Sequence, residues 1–297
     1  MPGPGQDASF VMPDGRVIEY WEGGDPAGRP MIMHPGTPET RIMGTWGHDP
    51  AVAARVRLFA VNRPGYGGST SITVPSLIGR GRDTAAMAAH LGLDEYAVFG
   101  LSGGGPFAVA TAVADPRHVR ALSVVAGIGP WRLLDGASKD PEGSKCLALH
   151  DAGDVAGAWD CMRRDVDGGY GRLATLDDGA RVDSFLADLA DGSQLLEDEV
   201  YRALWAVNLR AVLENIDGST SDNLAWGADW DVDPRDVTVP TMLWYGESDT
   251  PCPPAHGRWY ADRIAGSELV IVPGEGHLDV IDGHWPEVLA GLLRIWE

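Results

Sequence analysis

The segment Gly100-Leu101-Ser102-Gly103-Gly104 is the strongest indicator of the fold of this chain. The apolar and aromatic segment 96–99 that precedes it is typical of a buried strand, and the segment 106–114 that follows it is typical of a helix with an apolar face. A serine on so tight a turn is held in a strained backbone conformation, and glycines on either side let neighbouring chain approach. The turn therefore pushes the Ser102 hydroxyl clear of the sheet, where it can act as a nucleophile.

Strands and helices alternate on both sides of this turn. A Gly-x-Ser-x-Gly pattern alone predicts little in a chain with 39 glycines, where it can occur by chance. The fold prediction therefore depends on the alternation of strands and helices around it. Alternation of this kind predicts βαβ units, and hence an α/β fold with a mostly parallel sheet flanked by helices. The predicted strands cover residues 9–12, 16–21, 30–33, 56–61, 96–99, 121–126, 242–245 and 268–272, and the predicted core helices cover 83–91, 106–114, 257–264 and 286–296.

The rhythm changes at about residue 131, since no apolar strand follows before residue 238. Helical patterns at 155–164, 181–189 and 199–215 predict an inserted helical lid over residues 131–235, which divides a core domain of residues 1–130 and 236–297. The lid holds five of the 11 tryptophans, which favours an apolar pocket for an acyl or ring group. The candidate substrate-binding residues are His34, Trp131, Trp159, Trp205 and Trp226.

Three reactive side chains each follow the end of a predicted strand. Because ligands bind at the carboxyl edge of a parallel sheet, the loops that carry Ser102, Asp249 and His277 are expected to open on the same side. Their order along the chain is the one expected for a nucleophile on such a turn. His277 is then the general base that takes the Ser102 proton, and Asp249 fixes the imidazole tautomer and stabilises the imidazolium.

Two other carboxylates, Glu247 and Asp279, lie near the same loops and compete for the role of the acid. Asp249 is favoured because it lies four residues beyond Tyr245, in a turn that can aim its carboxylate at the histidine loop. His284 precedes a Trp-Pro pair at a helix start, which indicates a surface or capping role.

A tetrahedral intermediate needs two backbone donors for its oxyanion. The Gly103 N–H is the first, and the second is expected from the loop after the strand 30–33. Pro35 and Pro38 stiffen that loop, so the Thr37 N–H is the predicted second donor and Gly36 is the alternative.

Composition argues against macromolecular and membrane partners, so the expected partner is a small-molecule substrate. The net charge of −20 argues against nucleic acid and anionic membranes, and no apolar run approaches a membrane span. Residues 1–7 lack the features of a signal peptide, and three widely spaced cysteines favour a reducing compartment over a disulfide framework, so a cytoplasmic location is expected. No phosphate-loop lysine or spaced Cys/His cluster is present, so neither a cofactor nor a metal is predicted. The sequence carries no signal for an oligomeric state.

Five stretches together resemble the α/β-hydrolase fold family, in its lidded, single-chain serine esterase-like branch: 34–39, 62–69, 100–106, 246–249 and 273–277. The resemblance spans residues 9–130 and 236–297, whereas the lid matches nothing by pattern. One departure is the oxyanion loop, where many members have His-Gly and this chain has Pro35-Gly36. Because the nucleophile is serine rather than aspartate, the resemblance argues against haloalkane dehalogenase or epoxide hydrolase chemistry.

The expected function is hydrolysis of a small, largely apolar carboxylic ester or lactone through an acyl-enzyme. The same residues suit hydrolysis of a C–C bond β to a carbonyl, in a β-diketone-type substrate. The lid holds 22 Asp and Glu residues against 10 Lys and Arg, so it could also hold the ammonium group of an aminopeptidase substrate. The oxyanion loop, however, departs from the iminopeptidase His-Gly-Gly-Pro-Gly pattern. A non-catalytic ligand-binding protein on the same fold is the remaining alternative.

Overall fold

The computed structural model describes residues 4–134, 141–187, 189 and 193–296, and one sheet runs through them. The strands pair in the order β1-β2-β4-β3-β5-β6-β7-β8. β1 and β2 are antiparallel to their neighbours, and every other pair is parallel. The eight strands are β1 (Gln6–Val11), β2 (Val17–Gly24), β3 (Arg29–His34), β4 (Val56–Val61), β5 (Tyr96–Leu101), β6 (Val119–Val125), β7 (Thr241–Gly246) and β8 (Glu268–Val272). The predicted mostly parallel α/β sheet is confirmed.

Helices cover both faces of the sheet, because alternate side chains of each strand point to opposite sides. In β3, Ile32 joins one buried apolar cluster while Met31 and Met33 join the other. The six helices of this core are α1 (His48–Ala54), α2 (Leu77–His90), α3 (Gly105–Ala114), α9 (Pro254–Ala261), α10 (His277–Asp282) and α11 (Trp285–Ile295). The first cluster contains residues of α2, α3 and α9, and the second contains residues of α1, α10 and α11. None of the described helices has both the length and the apolar character needed to cross a lipid bilayer.

Between β6 and β7, the described residues form five inserted α-helices: α4 (Pro141–Asp151), α5 (Val155–Ala174), α6 (Asp178–Leu186), α7 (Glu199–Glu214) and α8 (Asp217–Gly227). The inserted helical region is therefore confirmed. α4 and α8 were not predicted. α8 is rich in Gly, Ser, Thr and Asp, which favour turns, yet nearly all of its residues are buried, so tertiary packing overrides local propensity. The predicted helix 181–189 ends at Leu186, and its position 188 lies outside the described residues.

Two of the three cysteines form a disulfide, Cys146–Cys161, with their Cα atoms 5.2 Å apart. Cys146 lies on α4 and Cys161 on α5, which a short loop joins into a helical hairpin. The expectation that the cysteines do not form a disulfide is therefore wrong, and the argument from them for a reducing compartment no longer holds. The bond depends on which faces of the two helices meet, which spacing along the chain does not reveal.

We expect the Cys146→Ala/Cys161→Ala double variant to be less stable than the wild type by about 3 kcal/mol, because the bond closes a loop of 15 residues in the unfolded chain. Urea unfolding without reductant measures the difference. A strong reductant should bring the wild type close to the variant and leave the variant unchanged. Equal midpoints for the two proteins without reductant would show that the cross-link contributes nothing.

Candidate active site

The turn at Ser102 has the strained backbone that its sequence predicts. β5 ends at Leu101, a short 3-10 helix covers Ser102–Gly104, and α3 follows directly. Ser102 has φ of +48°, in the left-handed region that serine rarely adopts. A Cβ on Gly100 would lie 2.3 Å from the Gly104 carbonyl oxygen, and one on Gly104 would lie 2.2 Å from that of His34. The turn therefore accepts only glycine at these two positions.

A chain of hydrogen bonds joins the three predicted reactive residues. The His277 Nε2 lies 2.9 Å from the Ser102 Oγ, and its Nδ1 lies 2.8 Å from the Asp249 Oδ2. The other oxygen of Asp249 accepts a 2.6 Å hydrogen bond from the Cys252 N–H. His277 and Asp249 are both buried. His277 was predicted to lie in a loop, whereas it is the first residue of α10.

The competing acids lie in other contacts. Glu247 is exposed, and its Oε2 accepts a 3.0 Å hydrogen bond from the Gly274 N–H. The Asp279 Oδ1 accepts a 2.5 Å hydrogen bond from the Ser193 hydroxyl. The His284 Nε2 lies 2.6 Å from the Glu275 Oε2. Of these carboxylates, only Asp249 is hydrogen-bonded to the His277 ring within the described residues.

The loop after β3 lies directly against the Ser102 turn. A Cβ on Gly103 would lie 2.5 Å from the Thr37 Oγ1 and 3.2 Å from the Thr37 N, so the two residues are in close contact. The Gly36 N–H donates a 2.7 Å hydrogen bond to the Glu39 Oε2. Within the described part of the chain, no hydrogen bond occupies the Thr37 N–H. Of the two candidate donors on this loop, Thr37 is thus the one that is available.

Three buried polar side chains that sequence reasoning missed hold this loop. Arg63 donates 2.5 Å and 2.7 Å hydrogen bonds to the carbonyl oxygens of Pro35 and Gly36. The Asp222 Oδ2 accepts a 2.7 Å hydrogen bond from the Thr37 hydroxyl. On the other side, Asn208 donates to the Pro38 carbonyl oxygen and accepts from Thr40. Arg63 lies in the stretch 62–69 that the resemblance included, whereas no sequence pattern indicated the two residues of the inserted helices.

Cys252 was also missed as a neighbour of the nucleophile. Its thiol is buried near the Ser102 hydroxyl, and burial raises the pKa of this thiol well above its usual value. It is the cysteine that the disulfide leaves free. Its position three residues after Asp249 was the only signal in the sequence.

Two further carboxyl groups, Glu39 and Asp282, are buried close to each other and to His277. Burial raises the pKa of Glu39 to about 7, and the nearby Asp282 charge adds to that rise. Burial also raises the pKa of Asp282 to about 6, against the opposing effect of a 2.6 Å hydrogen bond from the Tyr201 hydroxyl. Two buried carboxyl groups besides Asp249 therefore lie close to His277.

The predicted substrate-binding residues are all buried, and their role stays a prediction. His34 has its Nε2 3.1 Å from the Thr111 Oγ1, and burial lowers the pKa of its imidazole well below the usual value. Three of the tryptophans, Trp131, Trp159 and Trp226, belong to one apolar cluster that also contains Phe107 and Cys252. Trp205 belongs to a separate cluster with Tyr201 and Leu278, the residue after His277.

No group of three or more His, Cys, Asp and Glu side chains within the described residues is arranged to hold a metal ion. The site instead contains a hydroxyl, an imidazole and a carboxylate joined in sequence by hydrogen bonds, and the Thr37 N–H lies close to Gly103, the residue after the serine. Such a set can activate a serine oxygen and stabilise a developing oxyanion.

Solved structures with the same architecture extend over nearly the whole chain. A hydrolase from Pseudomonas aeruginosa PA01 is 19% identical with a TM-score of 0.67, and the match covers 98% of both chains. The enol-lactonase from Burkholderia xenovorans LB400 is 16% identical with a TM-score of 0.69, covering 97% of this chain and 100% of that one. An esterase from Exiguobacterium antarcticum is 18% identical with a TM-score of 0.68, covering 99% of each. At these identities the likeness concerns the fold.

Sequence comparison assigns the family independently. A comparison with curated proteins finds no sequence match. Residues 31–291, however, match the sequence profile of the Alpha/beta hydrolase family, which covers the sheet from β3 onward, the inserted helices and the candidate active site. This chain therefore belongs to the Alpha/beta hydrolase family.

Proposed function

We propose that this protein is a serine hydrolase that cleaves a small, largely apolar carboxylic ester or lactone through an acyl-enzyme. The observation that carries the proposal is the continuous hydrogen-bonded chain from Ser102 through His277 to Asp249. Distances of 2.9 Å and 2.8 Å are short enough for a proton to pass from the hydroxyl to the imidazole while the carboxylate holds the ring. Membership of a family of hydrolases supports the same chemistry.

The proposed reaction begins with attack of the Ser102 Oγ on the carbonyl carbon as His277 Nε2 takes the hydroxyl proton. The carbonyl oxygen becomes an oxyanion, which the Thr37 and Gly103 N–H groups stabilise. Collapse of this intermediate breaks the ester bond, and His277 returns the proton to the leaving alkoxide. Water then attacks the acyl-enzyme by the same route, which releases the acid and restores the Ser102 hydroxyl.

The surroundings of Ser102 support an apolar substrate. The cluster that contains Trp131, Trp159 and Trp226 also contains Phe107 and Cys252, and the Cys252 thiol lies near the Ser102 hydroxyl. Aromatic side chains supply large apolar contact area to a ligand. Among the structures of similar fold, one is an enol-lactonase and another an esterase. Lactones and carboxylic esters both present an acyl carbon that a serine can attack.

Substitution of the nucleophile is the first test. We expect Ser102→Ala to lower kcat for p-nitrophenyl esters by about 10⁴-fold, because the covalent route is lost while the fold is retained. A phosphonate ester probe should add one adduct to the wild type and none to the variant, as read by intact mass. A wild type that forms no adduct and cleaves no ester would favour a ligand-binding protein, whereas selective cleavage of aminoacyl anilides or β-diketones would identify one of the other reactions.

The choice of acid is tested separately. We expect Asp249→Asn to lower kcat by about 10³-fold to 10⁴-fold, because the neutral amide stabilises the wrong imidazole tautomer and not the imidazolium. Glu247→Gln and Asp279→Asn remove neighbouring carboxylates that do not contact the His277 ring, so they serve as matched controls with kcat near that of the wild type. A normal rate in Asp249→Asn together with a collapse in either control would reassign the acid.

The raised pKa of the buried Glu39 carboxyl makes the stability of the fold depend on pH. A carboxyl group whose pKa is higher in the folded state stabilises the fold most at a pH below its ordinary value of 4.5, and this contribution is lost as pH rises through about 7. The folded protein therefore carries an electrostatic cost above neutral pH that a neutral side chain at this position would not have.

We expect Glu39→Gln to gain stability relative to the wild type by on the order of 2 kcal/mol when the pH rises from 5 to 8. The amide oxygen of glutamine can still accept the hydrogen bond from the Gly36 N–H, so the loop contact is retained. Urea unfolding at the two pH values measures the change, with the exposed-site variant Glu247→Gln as the control. If the stability difference between Glu39→Gln and the wild type is the same at both values, the buried carboxyl does not titrate in this range.

A further inference from the structure

Two inserted helices each place a buried polar side chain on the loop that carries the proposed oxyanion donor. Asn208 of α7 is fully buried and is bonded to Pro38 and Thr40. Asp222 of α8 is 2% exposed and is bonded to Thr37 itself. The loop is thus held from the inserted region as well as from the core.

Asp222 is the most heavily bonded of these groups. Its Oδ1 accepts a 3.0 Å hydrogen bond from the Arg63 Nε. Its Oδ2 accepts from the Arg63 Nη2 at 2.5 Å, from the Thr37 hydroxyl at 2.7 Å and from the Tyr66 hydroxyl at 2.9 Å. Protein donors thus bind both oxygens of this buried carboxylate, and three different side chains donate to Oδ2.

Arg63 extends the same contact to the loop backbone. Its guanidinium is as deeply buried as Asp222, and it donates to the carbonyl oxygens of Pro35 and Gly36. The peptide that follows Gly36 carries the Thr37 N–H, so a fixed Gly36 carbonyl fixes the direction of that N–H. The Thr37 side chain is held at the same time by Asp222. Both ends of the donor residue therefore depend on one buried ion pair.

The rest of α8 is docked on the core next to this pair. The Gly218 N–H donates a 3.1 Å hydrogen bond to the Gly65 carbonyl oxygen, and the Ser71 hydroxyl donates to the Asp217 Oδ2 at 2.9 Å. A Cβ on Gly218 would lie 2.6 Å from the Tyr66 ring, so the helix and the loop after β4 are in close contact. Movement of α8 away from the core would break these bonds and expose a desolvated ion pair.

We infer that Asp222 is a positioning residue for the Thr37 oxyanion donor, which makes α8 a fixed wall of the active site. The inference rests on the proposed hydrolase function. A buried ion pair contributes little to the stability of the fold, because the cost of desolvation offsets the attraction between the charges. The burial of the Arg63–Asp222 pair is therefore better explained by its role in positioning the oxyanion loop. The loss of one oxyanion donor costs about 10²-fold to 10³-fold in kcat, and a displaced donor costs part of that.

The test compares Thr37→Val with Thr37→Ser. Valine keeps the shape and the backbone N–H but removes the hydroxyl that donates to Asp222, while the Arg63–Asp222 pair stays intact. We expect Thr37→Val to lower kcat for p-nitrophenyl butyrate by about 10-fold or more, with KM within about twofold of the wild type. Thr37→Ser restores the donor and should recover most of the lost rate. A role limited to packing would leave kcat of Thr37→Val within twofold of the wild type, and that result overturns the inference.

Asp222→Asn tests the carboxylate directly, with Asp151→Asn as the matched control. Asp151 lies on inserted helix α4 and pairs with Arg132 at 2.7 Å, away from the oxyanion loop. We expect kcat to fall in Asp222→Asn by more than in Thr37→Val and to stay unchanged in Asp151→Asn. Circular dichroism checks that each variant is folded. Equal kcat in the two aspartate variants would contradict the inference.

Hydrogen exchange followed by mass spectrometry gives a readout that does not require turnover. Peptides covering residues 34–47 should exchange faster in Asp222→Asn than in the wild type or in Asp151→Asn, because the loop loses its charged anchor. If the wild type hydrolyses no ester, the proposed function fails, and the exchange comparison still decides whether Asp222 holds the loop. Identical exchange in all three proteins overturns the positioning role.

Discussion

The left-handed backbone at Ser102 is the constraint on which the rest of the site depends. A serine at φ of +48° is strained, and it stays there because the surrounding structure fixes it. β5 is buried along its whole length, Gly100 pairs with His34 of β3, and the Ser102 carbonyl oxygen accepts a 3.1 Å hydrogen bond from the Ile128 N–H. Relaxing the turn would break a central strand, so the packing of the sheet holds the hydroxyl within reach of His277.

Several buried ionisable groups lie around this turn. The groups are the Arg63–Asp222 pair, the His277–Asp249 pair and the two carboxyls Glu39 and Asp282. Each group costs desolvation energy, which its hydrogen bonds offset only when they are complete. At Asp222, hydrogen bonds from Arg63, Thr37 and Tyr66 offset this desolvation energy. At Glu39 and Asp282, burial instead raises the pKa, which favours the neutral acid. These buried polar groups thus surround the hydrogen-bonded chain of Ser102, His277 and Asp249, where the proposed reaction would use fixed dipoles.

The inserted helices divide into two packing units around the candidate site. α4, α5 and α8 contribute to the cluster that contains Trp131, Trp159 and Trp226, and the disulfide ties α4 to α5. α6 and α7 contribute to the cluster around Trp205, which reaches Leu278 next to the histidine. Each unit packs against the core near a different residue of the candidate site. The first includes Cys252, which lies near Ser102, and the second includes Leu278, the residue after His277. The insertion is therefore part of the structure of the site and not only a cover over it.

The local pattern of apolar residues and turn signals predicted much of the fold. β4 and β8 have the predicted bounds, and the order of strands and helices follows from apolar segments alternating between turn signals. The glycines around Ser102 and the loops after β7 and β8 also placed three reactive residues at one edge of the sheet, because parallel strands all present their carboxyl ends there. Such features are local or follow from one topological rule, so a single sequence is enough to reveal them.

Contacts between distant segments were decided only in three dimensions. Asp222, Asn208 and Tyr201 lie on helices whose sequence gives no sign of which face meets the core, and α8 reads as a turn-rich segment until its burial is known. The same holds for the Cys146–Cys161 bond. The hydrogen bond from the Gly36 N–H to the Glu39 side chain is local, but no sequence pattern indicated it either. The order of the strands and helices, the strained serine and its two partners along one edge of the sheet could all be predicted from the amino-acid sequence. Tertiary packing decided which buried side chains hold them, because long-range contacts arise from the shapes of surfaces that local periodicity does not encode.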